Sequence, residues 1–231
     1  MNLYVVATPI GNLGDVSERA REVLEQATLI VAEDTRTSGQ LLKLLGIEGK
    51  KKFVSNHAQS SAKALASALS HCESHENIAL VTDAGTPAIS DPGALFISEF
   101  RKTYPEATVI PIPGPSALIT ALSVSGFPSS HFEFLGFIPH KKGRQTLFQK
   151  IAQSDHTLVM YESPHRLLKT LESLKDAVGD RVIMVAREMT KQFEEYFVGT
   201  PATAYAYYQA HQVEKLRGEC VIVIASPYYR Q

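Results

Sequence analysis

Apolar runs of strand length alternate with stretches whose apolar residues recur at helical spacing. Leu3–Ala7 reads as a buried strand, and Ser17 caps a helix that runs to about Ala27. Leu29–Ala32 is a second strand, and Ser38–Leu45 a second helix closed by Gly46. Phe53–Ser55 follows as a short strand and Ala62–His71 as a helix of small residues. Ile78–Thr82 is continuously apolar, as expected of a strand covered on both faces of a parallel sheet. Asp91-Pro92 caps and opens a helix to about Lys102, and Thr108–Ile112 is another strand. Such repeated βα units predict an open α/β sheet.

Pro111-Ile112-Pro113-Gly114-Pro115 interrupts the rhythm and marks a domain boundary. A helix from Ser116 to Ser125 follows, ended by Gly126. Beyond it, strands are read at Phe132–Ile138, Thr157–Tyr161, Val182–Arg187, Glu195–Val198 and Val221–Ala225. Helices are read around Leu147–Ala152, over Pro164–Val178 with Gly179 beyond it, and over Ala202–Gln209. Consecutive strands near the end predict a mixed sheet. The chain is therefore read as two α/β domains, 1–113 and 114–231.

Composition narrows the function classes. The 231 residues carry a formal net charge of −1, so a globally basic nucleic-acid field is excluded and any RNA contact must be local. Cys72 and Cys220 are two reduced packing thiols rather than a disulfide scaffold or zinc site. The start MNLYVVATP has no basic n-region, and no apolar stretch reaches the ~18 residues of a membrane span, so a cytoplasmic location is expected. The eight histidines are scattered and neither HExxH nor CxxC occurs, so no metal is expected.

Candidate chemistry gathers where apolar runs end. Tyr161-Glu162-Ser163-Pro164-His165-Arg166 joins a strand to a helix. Ser-Pro suffices to open that helix, by a hydroxyl cap and a residue without N–H, which leaves Glu162, His165 and Arg166 surplus to the fold. Thr8-Pro9-Ile10-Gly11-Asn12-Leu13-Gly14-Asp15 follows the first strand but matches neither G-x-G-x-x-G nor the P-loop. Glu33-Asp34-Thr35-Arg36 is either a surface ion pair or part of a site. In Thr82-Asp83-Ala84-Gly85-Thr86-Pro87, backbone amides and Thr hydroxyls suit the carboxylate of a zwitterion and Asp83 its ammonium, with Gly85 permitting close approach. Arg187-Glu188-Met189-Thr190-Lys191 and Arg217-Gly218-Glu219 add charge beside the late strands. His140-Lys141-Lys142-Gly143-Arg144 is a dense basic patch suited to phosphate, whereas Lys50-Lys51-Lys52 reads as a solvated turn.

Taken in order, TPIGN (8–12), EDTR (33–36), DAGTP (83–87), PGP (113–115), GFIP (136–139), YESPHR (161–166) and REMTK (187–191) resemble the ribosomal small subunit methyltransferase I family of the tetrapyrrole methylase superfamily. The likeness runs from residue 3 to about 224. It implies two α/β domains with S-adenosyl-L-methionine in the cleft between them, a homodimer, and methylation of a cytidine ribose 2′-hydroxyl in 16S rRNA near the decoding centre. It implies cofactor contacts from Pro9, Asp83, Ala84, Gly85, Thr86, Ser116 and Ala117, then from Met160, Tyr161, Ala186 and Glu219. RNA contacts are expected from Asn12, Arg36, Lys141, Lys142 and Arg144. Either Glu162 or His165 serves as the base, Arg36, Arg166 and Lys191 hold RNA, and Glu188 orients a cation; a Glu162–Arg187 salt bridge is the alternative use of Glu162. The sequence departs from the family where Ala58-Gln59 follows His57 in place of Asn-Glu, and where Thr82, Met189 and Arg217 replace the usual Ser, Leu and Lys. Gln231 lies soon after the last strand, where many members continue into a helical segment; if that segment helps grip RNA, either the grip lies elsewhere in this chain or its substrate differs. Methylation of a tetrapyrrole carbon and a catalytically silent RNA- or nucleotide-binding module stay open as rival functions.

Overall fold

A computed structural model describes residues 1–57, 61–215 and 218–230, with Glu214 described by its backbone alone. Ala58, Gln59 and Arg217, three of the family departures, lie outside the described residues. The chain divides into two compact α/β units, Met1–Ser116 and Ala117–Gln231.

The first unit alternates strictly: β1 (Asn2–Val6), α1 (Glu18–Gln26), β2 (Leu29–Ala32), α2 (Thr35–Leu44), β3 (Lys52–Ser55), α3 (Ala62–Cys72), β4 (Asn77–Val81), α4 (Gly93–Thr103) and β5 (Thr108–Ile112). The sheet is parallel throughout, in the order β3-β2-β4-β1-β5. Ile30 and Ala32 pack with Leu24 and Leu42 on one face, while Leu29 and Val31 pack with Leu69, Phe96 and Phe100 on the other. Burial on both faces explains the unbroken apolar character of β2 and β4. Because every strand points the same way, the loops after β1, β2, β3 and β4 all leave from one edge, the ligand-binding edge of open α/β sheets.

The second unit holds α5 (Ala117–Ser125), β6 (Phe132–Phe137), α6 (Arg144–Gln153), β7 (Thr157–Glu162), α7 (Pro164–Val178), β8 (Ile183–Arg187), β9 (Glu195–Gly199), α8 (Pro201–Ala210) and β10 (Cys220–Ile224). Its mixed sheet has the order β6-β7-β10-β8-β9. β6 is parallel to β7, and β10 runs antiparallel to both β7 and β8. The ends of β6, β7 and β8 and the start of β10 therefore share an edge, with Cys220 in register with both Glu162 and Arg187. Leu167, Leu171 and Leu174 of α7 cover one face with Met160 and Tyr208, and Leu118 and Leu122 of α5 cover the other with Val159 and Ala186.

One boundary and two caps differ from the sequence reading: α4 starts at Gly93 with Pro92, not Asp91, at its N-cap and no side-chain cap bond. The second helix begins at Thr35, because the Asp34 carboxylate accepts the Arg36 N–H as its N-cap. Ser163 stands at the N-cap of α7 but makes no side-chain cap. Instead its own N–H donates to Glu162 Oε1 at 2.8 Å.

Candidate active site

In the first unit the chemistry-bearing loops are tied to one another. Thr8 and Gly85 exchange both backbone hydrogen bonds, at 2.9 and 3.0 Å. The Gly85 amide is thus engaged by Thr8, which corrects the expectation that it faces a ligand carboxylate. Gly85 has φ +86°, a conformation that favours glycine, and a Cβ at Gly114 would come within 3.0 Å of the Ala7 Cβ. The Thr8 hydroxyl donates to the Thr82 carbonyl at 3.2 Å, Thr82 Oγ1 to Glu33 Oε2 at 2.8 Å, and Thr86 Oγ1 to the Pro115 carbonyl at 3.0 Å. Asp83 and Ala84 are exposed, while Pro9, Thr86 and Ser116 are half-buried.

Asp83 Oδ1 accepts the Asp34 N–H at 3.1 Å. Its carboxyl is raised above the usual range, first by desolvation and then by the charges of Glu33 and Asp34. Asp34 behaves oppositely. Hydrogen bonds from the Arg36 side chain and backbone hold it down at about 2. Arg36 chelates that carboxylate through Nε and Nη2, at 3.1 and 2.7 Å, yet its side chain stays 90% exposed. Asn12 is exposed and its Oδ1 accepts the Gly14 N–H at 2.9 Å, so it builds the turn it sits in.

The second unit revises the hexapeptide most. Glu162 is turned inward, its side chain only 1% exposed. Its carboxylate accepts the Ser163 N–H at 2.8 Å and the Thr170 hydroxyl at 2.7 Å, with Arg166 Nε 3.4 Å away. A carboxylate so enclosed is an anchor for the start of α7 and has no open path to a substrate proton. Its cation is Arg166; Arg187 pairs with Glu195 at 2.8 Å instead. Arg166 also donates to the carbonyls of Ile138 at 2.6 Å and Pro139 at 3.2 Å, so it binds the loop after β6 to α7 rather than projecting toward RNA. His165 is exposed on the first turn of α7.

Arg144 is likewise committed to the protein. Its Nη2 lies 3.2–3.4 Å from Thr170 Oγ1, the Lys169 carbonyl and Ser173 Oγ, and its guanidinium sits over the Phe148 ring at 4.9 Å. Lys141 and Lys142 remain exposed; Lys141 lines a groove of about 620 Å³ between α6 and α7 with Gln145, Gln149 and Asp176. Met160 and Ala186 are fully buried as whole residues on opposite faces of the sheet, so neither presents a surface to a ligand, contrary to the expected cofactor contacts. Tyr161 is half-buried and its hydroxyl accepts the Leu118 N–H at 3.2 Å, fixing the start of α5, where Ala117 is half-buried.

After β8 the chain turns sharply. Glu188 and Thr190 adopt left-handed φ of 51° and 66°, and Ala88 and Ser90 after β4 adopt 71° and 70°. Four of the five non-glycine residues with such φ among the described residues thus sit in two strand-end loops, and strain of this kind concentrates at functional sites. Lys191 Nζ donates to Glu188 Oε1 at 2.8 Å and lies 3.9 Å from Glu219 Oε2. Sequence reasoning missed Thr170, whose partner lies a strand end away and leaves no local pattern. It also missed Arg181, which donates to the carbonyls of Ile151, Ser154, His156 and Ala225. Among the described residues, no three His, Cys, Asp or Glu side chains are grouped to hold a metal ion.

The chain thus forms two α/β units, the first an all-parallel sheet and the second a mixed one, with strained loops at the strand ends. The match to the tetrapyrrole (corrin/porphyrin) methylases spans residues 2–204. Among solved structures, diphthine synthase superposes with a TM-score of 0.72 at 12% identity, covering 97% of this chain and 90% of that one. The uroporphyrin-III C-methyltransferase of Thermus thermophilus complexed with S-adenosylhomocysteine gives 0.65 at 16%, covering 97% of each chain. Identity is far higher to ribosomal RNA small subunit methyltransferase I of Synechocystis sp., 45% over 96% of this chain and 78% of that protein. The Thermotoga maritima protein of the same name is 40% identical over 96% of this chain and 97% of its own length. The chain belongs to the ribosomal RNA small subunit methyltransferase I family, within the tetrapyrrole methylases.

Proposed function

We propose that the protein transfers a methyl group from S-adenosylmethionine to the ribose 2′-hydroxyl of a cytidine in small-subunit ribosomal RNA. The observation that carries this reading is 40–45% identity, across 96% of the chain, to proteins named for methylating that RNA. The donor set suits the cofactor. The exposed Asp83 carboxylate suits an ammonium, with exposed Ala84 and half-buried Thr86 on the same loop and half-buried Pro9 on the loop paired to it. Ser116, Ala117, Tyr161 and Glu219 offer further backbone and polar contacts. The cofactor, when bound, supplies a sulfonium-borne electrophilic methyl group.

What remains for the chain is alignment and removal of the ribose proton. Alignment converts a bimolecular displacement into an effectively unimolecular one. With Glu162 enclosed, the exposed His165 imidazole is the base we assign, a role worth ~10²–10⁴-fold in rate. Exposed Asn12, Arg36, Lys141 and Lys142 are the RNA contacts, one neutral amide and three local cations on a chain of net charge −1. The reaction belongs to the cytoplasm, and no helix among the described residues is long and apolar enough to cross a membrane. Exposed Phe193, Tyr196 and Val198 on and beside edge strand β9 support self-association as a homodimer. The test is tritium transfer from labelled S-adenosylmethionine to small subunits lacking the modification, with the labelled nucleotide mapped. Label on a cytidine ribose supports the reading; no transfer, or label on a base, overturns it.

A further inference from the structure

Strand β6 carries a bulge that brings an exposed aromatic ring next to a basic loop. Phe134 lies in register with Val159 of β7, and Phe137 with Tyr161, so three steps on β6 span two on β7. In a regular strand Phe134 and Phe137 would point to opposite faces. The extra residue puts both on the face of Tyr161, and Gly136, at φ +67°, takes up the irregularity. Both rings meet the Tyr161 ring in T-shaped contacts, with centroids 4.9 and 5.2 Å away and planes at 65°. Tyr161 is itself fixed, its hydroxyl accepting the Leu118 N–H at 3.2 Å. Phe134 is half-buried against the core, yet Phe137 stays 59% exposed. A single exposed apolar side chain is ordinary on a protein surface. A bulge is uncommon between parallel strands, and bulges next to active sites re-aim side chains.

The surroundings indicate what the ring takes. From Phe137 the chain passes directly into Ile138-Pro139-His140-Lys141-Lys142. Arg166 donates to the Ile138 and Pro139 carbonyls at 2.6 and 3.2 Å, and the Ile138 N–H donates to the Tyr161 carbonyl at 3.4 Å. Ring and loop are thus held by the same neighbours. His140, Lys141 and Lys142 are exposed, and the sequence from Phe134 to Phe148 holds neither Asp nor Glu. An open aromatic ring a few residues from exposed ammonium groups is the combination that binds single-stranded nucleic acid. The ring stacks a base and the cations meet the phosphates. S-adenosylmethionine carries no phosphate for such a loop to meet.

We propose that Phe137 is a stacking platform for an unpaired base of the RNA substrate, with Lys141 and Lys142 on the phosphates beside that base. The proposal rests on the RNA methyltransferase reading and adds to it a contact that carries no charge.

The experiment is single-turnover methyl transfer to small subunits lacking the modification, titrated to saturation at several salt concentrations. It compares the wild type with Phe137→Ala, Phe137→Leu and Phe137→Trp, and takes Lys141→Glu as the reference for a phosphate contact. Phe137→Ala should raise the half-saturating subunit concentration about 5–150-fold, the scale of one base on an aromatic ring. Phe137→Leu keeps apolar bulk against Tyr161 without a π face and should do nearly the same, while Phe137→Trp should restore affinity. Salt dependence separates a lost stacking contact from a displaced loop. Stacking releases no counterions, so Phe137→Ala should weaken binding by one factor at every salt concentration, whereas Lys141→Glu should reduce the slope. Affinity for S-adenosylhomocysteine and the oligomeric state should match the wild type in all three Phe137 variants. Unchanged half-saturation in Phe137→Ala, a Phe137→Leu protein as good as the wild type, or a slope that falls with Phe137→Ala overturns the proposal. So does a loss confined to S-adenosylhomocysteine binding or to self-association. A wild type that transfers no methyl group to the subunits overturns the methyltransferase reading instead.

Discussion

Replacing Glu162 by glutamine and by alanine separates a buried anchor from a catalytic base. The carboxylate is enclosed, with the Ser163 N–H and the Thr170 hydroxyl donating to different oxygens and Arg166 3.4 Å away. Glutamine can preserve the pattern. Its carbonyl oxygen takes the place of Oε1, and its NH₂ can donate to Thr170 Oγ1, since a hydroxyl accepts as readily as it donates. What Glu162→Gln loses is the counter-charge to Arg166, which is partly exposed and keeps the carbonyls of Ile138 and Pro139; we expect ~1–2 kcal/mol. Glu162→Ala leaves the Ser163 N–H and the Thr170 hydroxyl unpaired in a buried space, adds a cavity and strands Arg166, for about 3–5 kcal/mol. At ~2–4 °C per kcal/mol for a chain of this size, the alanine variant should melt roughly 6–20 °C below the wild type. Urea unfolding followed by circular dichroism measures both, and the midpoint should move at unchanged slope if only stability has changed. Single-turnover methyl transfer by Glu162→Gln, measured well below its melting point, should stay within a few-fold of the wild type. A Glu162→Gln protein of full stability whose transfer rate falls ~10²-fold or more would refute the anchor and restore Glu162 as the base.

Asp83 has its folded pKa raised, so the stability it contributes is complete below the unfolded carboxylate range and is lost as pH rises through the folded value. Asp83→Asn should therefore raise the melting temperature at pH 7, leave it unchanged near pH 3, and weaken S-adenosylhomocysteine binding; a melting temperature lowered at pH 7 contradicts this. Asp34, held at about 2, has the opposite sign, and its contribution survives acidification until pH falls from about 3.8 toward 2, which carboxyl NMR titration reads directly. Lys141→Glu and Lys142→Glu should each lower RNA affinity and reduce the salt slope by about one or more at unchanged stability, whereas Arg144→Ala should cost ~1–3 kcal/mol through its lost contacts to α7. Cys72 and Cys220 are free, buried and pushed up to about 12 by desolvation, so neither should react with iodoacetamide at pH 8 until the protein is unfolded in urea.

How far the chain could be read ahead of its structure depended on the range of the interaction involved. Strand and helix identities follow from local periodicity, and β2 and β4 could be placed inside a parallel sheet because burial on both faces leaves an unbroken apolar run. The strand-end loops could likewise be found, since Gly85 and the run of polar residues around it are local signals. The partners of their charges could not. Glu162 and Arg166 are surplus to the capping of a helix, and surplus charge at a strand end reads as a ligand site. In the fold both turn inward, because Thr170, two turns into α7, and the carbonyls after β6 supply partners. Arg144 belongs to the same misreading, since a dense basic run says nothing of which cation lies against the next helix. Gly218 is the instructive opposite. A lone glycine before Glu219 carries little meaning in the sequence, yet it marks where the Glu188 carboxylate needs room to hold Lys191. Charge in this chain thus divides by the reach of its partners. Cations that find carbonyls or hydroxyls on a neighbouring element build the scaffold, whereas Arg36 and Lys191, held by carboxylates at the strand ends, keep an exposed face.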